Sequence, residues 1–128
     1  MVTYLPQEIE VWYLLPAIRK ELARKLLTDF TLKQKEVAKI LGVTEAAISQ
    51  YKKDKRASDL TFTEEEKAII SSYAVKIKKS PSNYQQYLYK LSIELHGCQS
   101  MCAFHKKIDE TVPKNCTLCK SAFSVKER

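Results

Sequence analysis

The sequence predicts an all-α fold, a helical body carrying a small cysteine-rich C-terminal module. Three observations predict it. The 128 residues hold only two glycines and four prolines, so little punctuates the chain. Apolar side chains recur at helical spacing in several windows. Residues suited to capping stand at the start of those windows. An apolar fraction of 45% is enough for a globular core, and the length fits one domain, or one domain with a small appended module.

Residues from Pro6 to about Leu27 read as helix. Pro16 has no N–H and disfavours helix in the residue before it, so a break or kink is expected near Leu15. Beyond it Ile18, Leu22 and Leu26 form one core-facing stripe. Asp29 and Phe30 end this element. Thr31 with Gln34 fits a capping box that starts the next helix at about Leu32. Val37, Ala38 and Leu41 then repeat at helical spacing before Gly42, as Ile48 and Tyr51 do after it. Ala38 is small where a second helix must cross closely, and Gly42 supplies the positive φ of a sharp turn. Thr44 is placed to cap the following helix, whose Glu45, Ala46, Ser49 and Gln50 point away from the core.

Lys53 to Leu60 is a polar connection. Thr63 with Glu66 is a second capping box. Glu64, Glu65 and Glu66 put negative charge at a helix N-terminus, which accounts for these acids without a catalytic role. Ile69, Ile70, Tyr73 and Ile77 give that helix its apolar face. Ser80-Pro81 opens a last long helix, with Tyr84, Tyr87, Leu88, Leu91 and Leu95 on one side and Gly97 as its terminator or kink point. Two of the tyrosines at 84, 87 and 89 lie on the stripe, which favours core or dimer packing over base stacking. Trp12 and Tyr13 read as core or interface anchors.

The net charge of +7 is unevenly spread. Residues 1–30 balance at four basic and four acidic groups, residues 31–60 carry seven against four, and the last 33 residues carry six against three. The excess therefore gathers around Gly42 and at the C-terminal end, a distribution suited to a polyanion.

Residues 34–51 resemble the phage-repressor-type helix-turn-helix of the XRE family. Gln34 opens one helix, Ala38 follows four residues on, Gly42-Val43 form the turn, and Ile48-Ser49 lie in the second helix. A helical hairpin using the same Gly and Ala only for packing is the plainer reading. The basic run Lys52, Lys53, Lys55 and Arg56, placed where a phosphate backbone would lie, weighs against it. Val11 to Ala23, this motif and the cysteine-rich end together resemble a group of archaeal transcriptional regulators.

That resemblance implies an archaeal, sequence-specific transcription regulator that binds double-stranded DNA. Residues 1–80 would form the helix-turn-helix DNA-binding domain, and residues 81–128 a C-terminal helix with a metal-binding module. By analogy, the helix from Glu45 to about Lys52 enters the major groove. Gln50 and Ser49 would meet base edges, a Gln being able to pair bidentately with adenine. Glu45 would accept from a cytosine amino group or simply favour the helix N-terminus, and Ala46 would meet a thymine methyl. Gln34 and Thr44 would hold backbone phosphates, with Lys53, Lys55 and Arg56 supplying charge. A homodimer is expected, because such proteins gain affinity from two half-sites, with the long C-terminal helix as the expected surface.

All four cysteines fall within 22 residues, as Cys98-x3-Cys102 and Cys116-x2-Cys119. Two close pairs separated by a loop suit a tetrahedral metal site. Helical geometry over 98–106 would put Cys98, Cys102 and His105 on one face, giving five candidate ligands for four places. The two leading sets are the four cysteines, and Cys102, His105, Cys116 and Cys119. Lys106, Lys107, Lys114 and Lys120 surround them and would favour thiolates. Zinc, as a structural staple, and an iron–sulfur cluster, as a redox sensor, are both open.

Other classes find less support. No apolar stretch approaches the roughly 20 residues of a membrane span, and no signal-peptide pattern opens the chain, so a cytoplasmic protein with no membrane partner is expected. Cys116-Thr-Leu-Cys119 lacks the βαβ setting of a thiol–disulfide enzyme. No Ser/His/Asp arrangement, phosphate loop or carboxylate pair stands out, and no enzymatic activity is expected. A constitutively zinc-stapled DNA-binding module, or an antitoxin-like protein-interaction module, is the alternative.

Overall fold

The computed structural model describes residues 3–119, in which every regular element is helical. The elements are α1 (Pro6–Ile9), a π-helical turn (Glu10–Leu14), α2 (Leu15–Thr28), α3 (Gln34–Leu41), α4 (Glu45–Lys52), α5 (Glu64–Lys79), a 3-10 turn (Pro81–Asn83), α6 (Tyr84–Leu95) and α7 (Gln99–Ile108).

Pro16 does not break the first helix. The backbone widens instead into the π turn, where the Leu15 N–H donates to the Glu10 carbonyl. Pro16 then sits in the first turn of α2, where its missing N–H costs little. The expected disturbance falls at the expected place, but α1 and α2 run on as one helical rod.

The turn into α3 also differs from expectation. α3 begins at Gln34, not Leu32, and its N-cap is Lys33. Thr31 caps nothing. It lies at φ 52 and its hydroxyl donates to the Phe30 carbonyl. The Leu32 N–H returns to the Leu26 carbonyl at 3.2 Å. Closing this turn takes Thr31 into the left-handed region, which removes it from capping geometry. The cap is half built by Glu36, whose carboxylate accepts the Lys33 N–H at 3.5 Å.

Other local signals are met. Gly42 lies at φ 65 and ends α3, with no atom near the place of a Cβ, so only backbone conformation demands glycine there. Thr44 accepts the Ala47 N–H at 3.1 Å. Thr63 and Glu66 exchange hydrogen bonds of 2.9 and 3.2 Å at the start of α5. Tyr84, Tyr87, Leu88, Leu91 and Leu95 line the packed side of α6, but α6 is not the last helix. Gly97, at φ 72, turns the chain into α7.

Two apolar cores meet at α2. Ala23 and Leu26 of α2 join Val37, Ala38, Leu41, Ala47, Ile48 and Tyr51 in the smaller one, which fixes α3 and α4. The larger core runs from Ile9 through Ile18 and Leu22 to Ile70, Ile77, Leu91, Leu95, Met101 and Phe104, so it draws on both sides of residue 80. Phe30, Ile40 and Tyr84 touch both. Trp12 is not a core anchor, being 55% exposed and edge-on to Tyr4, whereas Tyr13 packs on Phe104. Of the other tyrosines on α6, Tyr89 is exposed. No helix among the described residues is long and apolar enough to cross a membrane.

Glu66 does more than cap. Its buried carboxylate also accepts the Ser100 N–H at 3.2 Å and the Ser100 hydroxyl, joining α5 to α7. Burial pushes its pKa up, but the hydrogen bonds from Ser100 and Thr63 outweigh this and hold it below the ordinary 4.5. The ionised form is therefore favoured by folding. Its contribution is full above about pH 4.5 and is lost as pH falls through the lower folded-state value. Glu66→Gln turns an NH2 group toward donors and should cost about 1–3 kcal/mol at neutral pH. Urea titrations from pH 7 to pH 3 should show the wild type losing its advantage over the variant in acid. A constant gap would contradict the assignment.

Candidate nucleic-acid interface and cysteine cluster

α4 presents a largely polar face because its larger apolar residues, with Ala47, are spent on the smaller core. Ala47, Ile48 and Tyr51 are buried, while Glu45, Ala46 and Gln50 are exposed and Ser49 is half-buried. Thr44 uses its oxygen to accept the Ala47 N–H and keeps an O–H to donate. Lys52, Lys53, Lys55 and Arg56 are exposed in and after the last turn. Gln34 stands half-buried at the first position of α3.

Gln50 is not a free side chain. Its Oε1 accepts from Arg56 Nε at 2.7 Å, which orients the amide and leaves one oxygen lone pair and the NH2 for other partners. The return of the chain that makes this possible is held from below. Lys20 on α2, 6% exposed, pairs with Asp54, whose backbone lies at φ 59. The hydrogen bond from Lys20 and its charge hold the Asp54 carboxyl below its usual range.

Sequence reasoning missed Arg24 and Lys33. They line one groove with Gln34 and Lys52, floored by Leu27 and Leu32. Arg24 lies off the Ile18, Leu22 and Leu26 stripe, so a helical wheel of α2 already places it outside the core. Its alignment with α3 and α4 needs the tertiary packing.

The cysteines divide three to one. Cys102, Cys116 and Cys119 line a cavity of about 30 Å3 together with His105 and Pro6. Cys102 Sγ donates to the Gly97 carbonyl at 3.5 Å. A Cβ on Gly97 would stand 2.8 Å from Cys119 Cβ, so glycine is needed there for close approach as well as for φ. Burial pushes the Cys119 thiol up, and nearby Cys102 and Cys116 push it further.

Cys98 stands apart. Its Sγ caps α7 by accepting the Met101 N–H at 3.5 Å. Burial and the Glu66 carboxylate push its thiol up to about 12, against the opposing Met101 N–H. All four cysteines are free of disulfides.

No protein-family model, curated protein or solved structure matches this chain.

Among the described residues, no three Cys, His, Asp or Glu donors already stand around one point as metal ligands. The sulfurs are gathered, not converged. His105 Nε2 lies 2.8 Å from the Tyr4 carbonyl and 3.6 Å from Asp109. Asp109 in turn accepts the Tyr4 N–H at 2.8 Å, and the Thr111 hydroxyl with the Tyr4 N–H holds its carboxyl at about 2. Lys106 Nζ donates to the Lys114 carbonyl at 2.7 Å, tying the loop to α7. Lys107 is exposed on α7, and Lys120 lies outside the described residues.

Proposed function

We propose that this protein is a sequence-specific transcriptional regulator that binds double-stranded DNA as a homodimer, through an XRE-type helix-turn-helix formed by α3 and α4. The observation that carries the reading is the exposed polar face of α4, flanked by the groove of Arg24, Lys33, Gln34 and Lys52. A recognition helix needs hydrogen-bonding groups outward and cations at its borders. Glu45, Ser49 and Gln50 supply the first. Lys53, Lys55 and Arg56 after α4, and Arg24 and Lys33 in the groove with Lys52, supply the second.

In this reading Ser49 and Gln50 meet base edges, while Gln34 and Thr44 donate to phosphates. The dimer forms on the exposed apolar side of α6, where Tyr89 and Ile93 line a groove of about 550 Å3 with Leu5 and Leu118. That groove also supports a second reading, a protein-interaction module of the antitoxin kind, in which α4 faces a protein.

A salt series on a site selected from random duplexes separates the two. The DNA reading predicts that log K falls steeply with log salt. Lys53→Ala should weaken every sequence about equally and reduce the slope by about one unit. An affinity insensitive to salt would favour the protein-interaction reading.

A further inference from the structure

The His105 ring has only one tautomer compatible with its surroundings. The Tyr4 carbonyl oxygen can only accept, so the Nε2 lying 2.8 Å from it must carry the proton. Nδ1 is then the ring's lone-pair nitrogen. A histidine that donates one ring N–H to a backbone carbonyl is oriented as metal-ligating histidines are.

This ring lies on the cavity wall shared with Cys102, Cys116 and Cys119. Cys102 and His105 are one helical turn apart on α7, so their side chains leave the same face. Cys116 ends a turn closed by its N–H to the Pro113 carbonyl at 3.2 Å, and Cys119 follows three residues on. Gly97 admits the backbone of Cys119 to within reach of α7. Cys98, which sequence spacing offers equally, is committed to capping α7 and does not line this cavity.

We infer that Cys102, His105, Cys116 and Cys119 bind one Zn2+, through three sulfurs and Nδ1, and so staple the C-terminal segment to α7 and to the start of α1. Three thiolates and one imidazole are a usual structural zinc set. An iron–sulfur cluster would call for four thiolates in most cases. Binding releases three thiol protons and leaves the site at −1, beside Lys106 and Lys114. The thiols must turn inward to reach the ion. The site stands independently of DNA binding, so either can fail without the other.

The test uses the full chain, reduced and stripped with chelator, titrated with Zn2+ and in parallel with Co2+ as a visible stand-in. One equivalent should bind, with thiolate-to-cobalt charge transfer and tetrahedral d–d bands. His105→Gln should weaken Zn2+ binding by more than about 100-fold, beyond the 10–100-fold typical of an outer-shell change. Cys98→Ser should leave stoichiometry and affinity unchanged. Cys116→Ser, on the loop outside the core, should lose binding while circular dichroism shows α1–α7 intact. Zn2+ binding that is absent, or that survives His105→Gln but not Cys98→Ser, would overturn the assignment. So would a brown, air-sensitive chromophore in anaerobically prepared protein.

Discussion

Ile48→Ala lowers stability by about 2–5 kcal/mol, the range for emptying a fully buried aliphatic site. Ile48 is 0% exposed and sits where α2, α3 and α4 meet. The substitution leaves a cavity between the three helices. Three of the eight buried residues of this cluster are alanines, whose side chains cannot extend into the space. Denaturant unfolding should show a lower midpoint with an unchanged m value. On the proposed reading DNA affinity should fall with it, since Ile48 and Tyr51 are the large buried anchors of α4. A variant of wild-type stability would mean that α4 does not pack on α2 through this face.

Gln50→Ala has a different signature. Stability should change little, because the side chain is exposed. On the proposed reading, discrimination at one base position falls by about 1–3 kcal/mol, the value of a good bidentate pair. The bond from Arg56 to Gln50 Oε1 adds a further expectation. Arg56→Ala should weaken all sequences through lost charge and also blur preference at that same position, because the amide loses its fixed orientation. Binding-site selection with the two variants reads both effects. Unchanged base preference in Gln50→Ala would remove this residue from the interface.

Much of this architecture is legible in the sequence because it is local. The Gly42 turn, the Thr44 cap and the Thr63–Glu66 box depend on residues three or four apart, and each forms as their chemistry dictates. The misreadings come from longer-range demands. Thr31 matches a cap pattern, yet the route from α2 to α3 requires it at positive φ. Pro16 is a helix breaker by its own chemistry, but a π turn lets the chain pass it and keeps Leu14, Ala17 and Ile18 in one core.

The candidate sites divide the same way. The outward face of α4 follows from helical periodicity. Arg24 joins that surface only through the packing of α2 against α3, and Arg56 reaches Gln50 only because Lys20 and Asp54 turn the chain back. In the cysteine cluster, spacing alone keeps Cys98 and His105 level. The cap made by Cys98 and the carbonyl of Tyr4, about 100 residues away in the chain, separate them.

The central claim is tested most directly by selecting binding sites from random double-stranded DNA with the full-length protein and then measuring affinity for the selected site as salt is raised. The expected result is a two-fold symmetric site with half-sites about 34–36 Å apart, one helical turn, and an affinity that falls steeply and linearly in log–log form. No enriched sequence, together with binding that ignores salt, would contradict it.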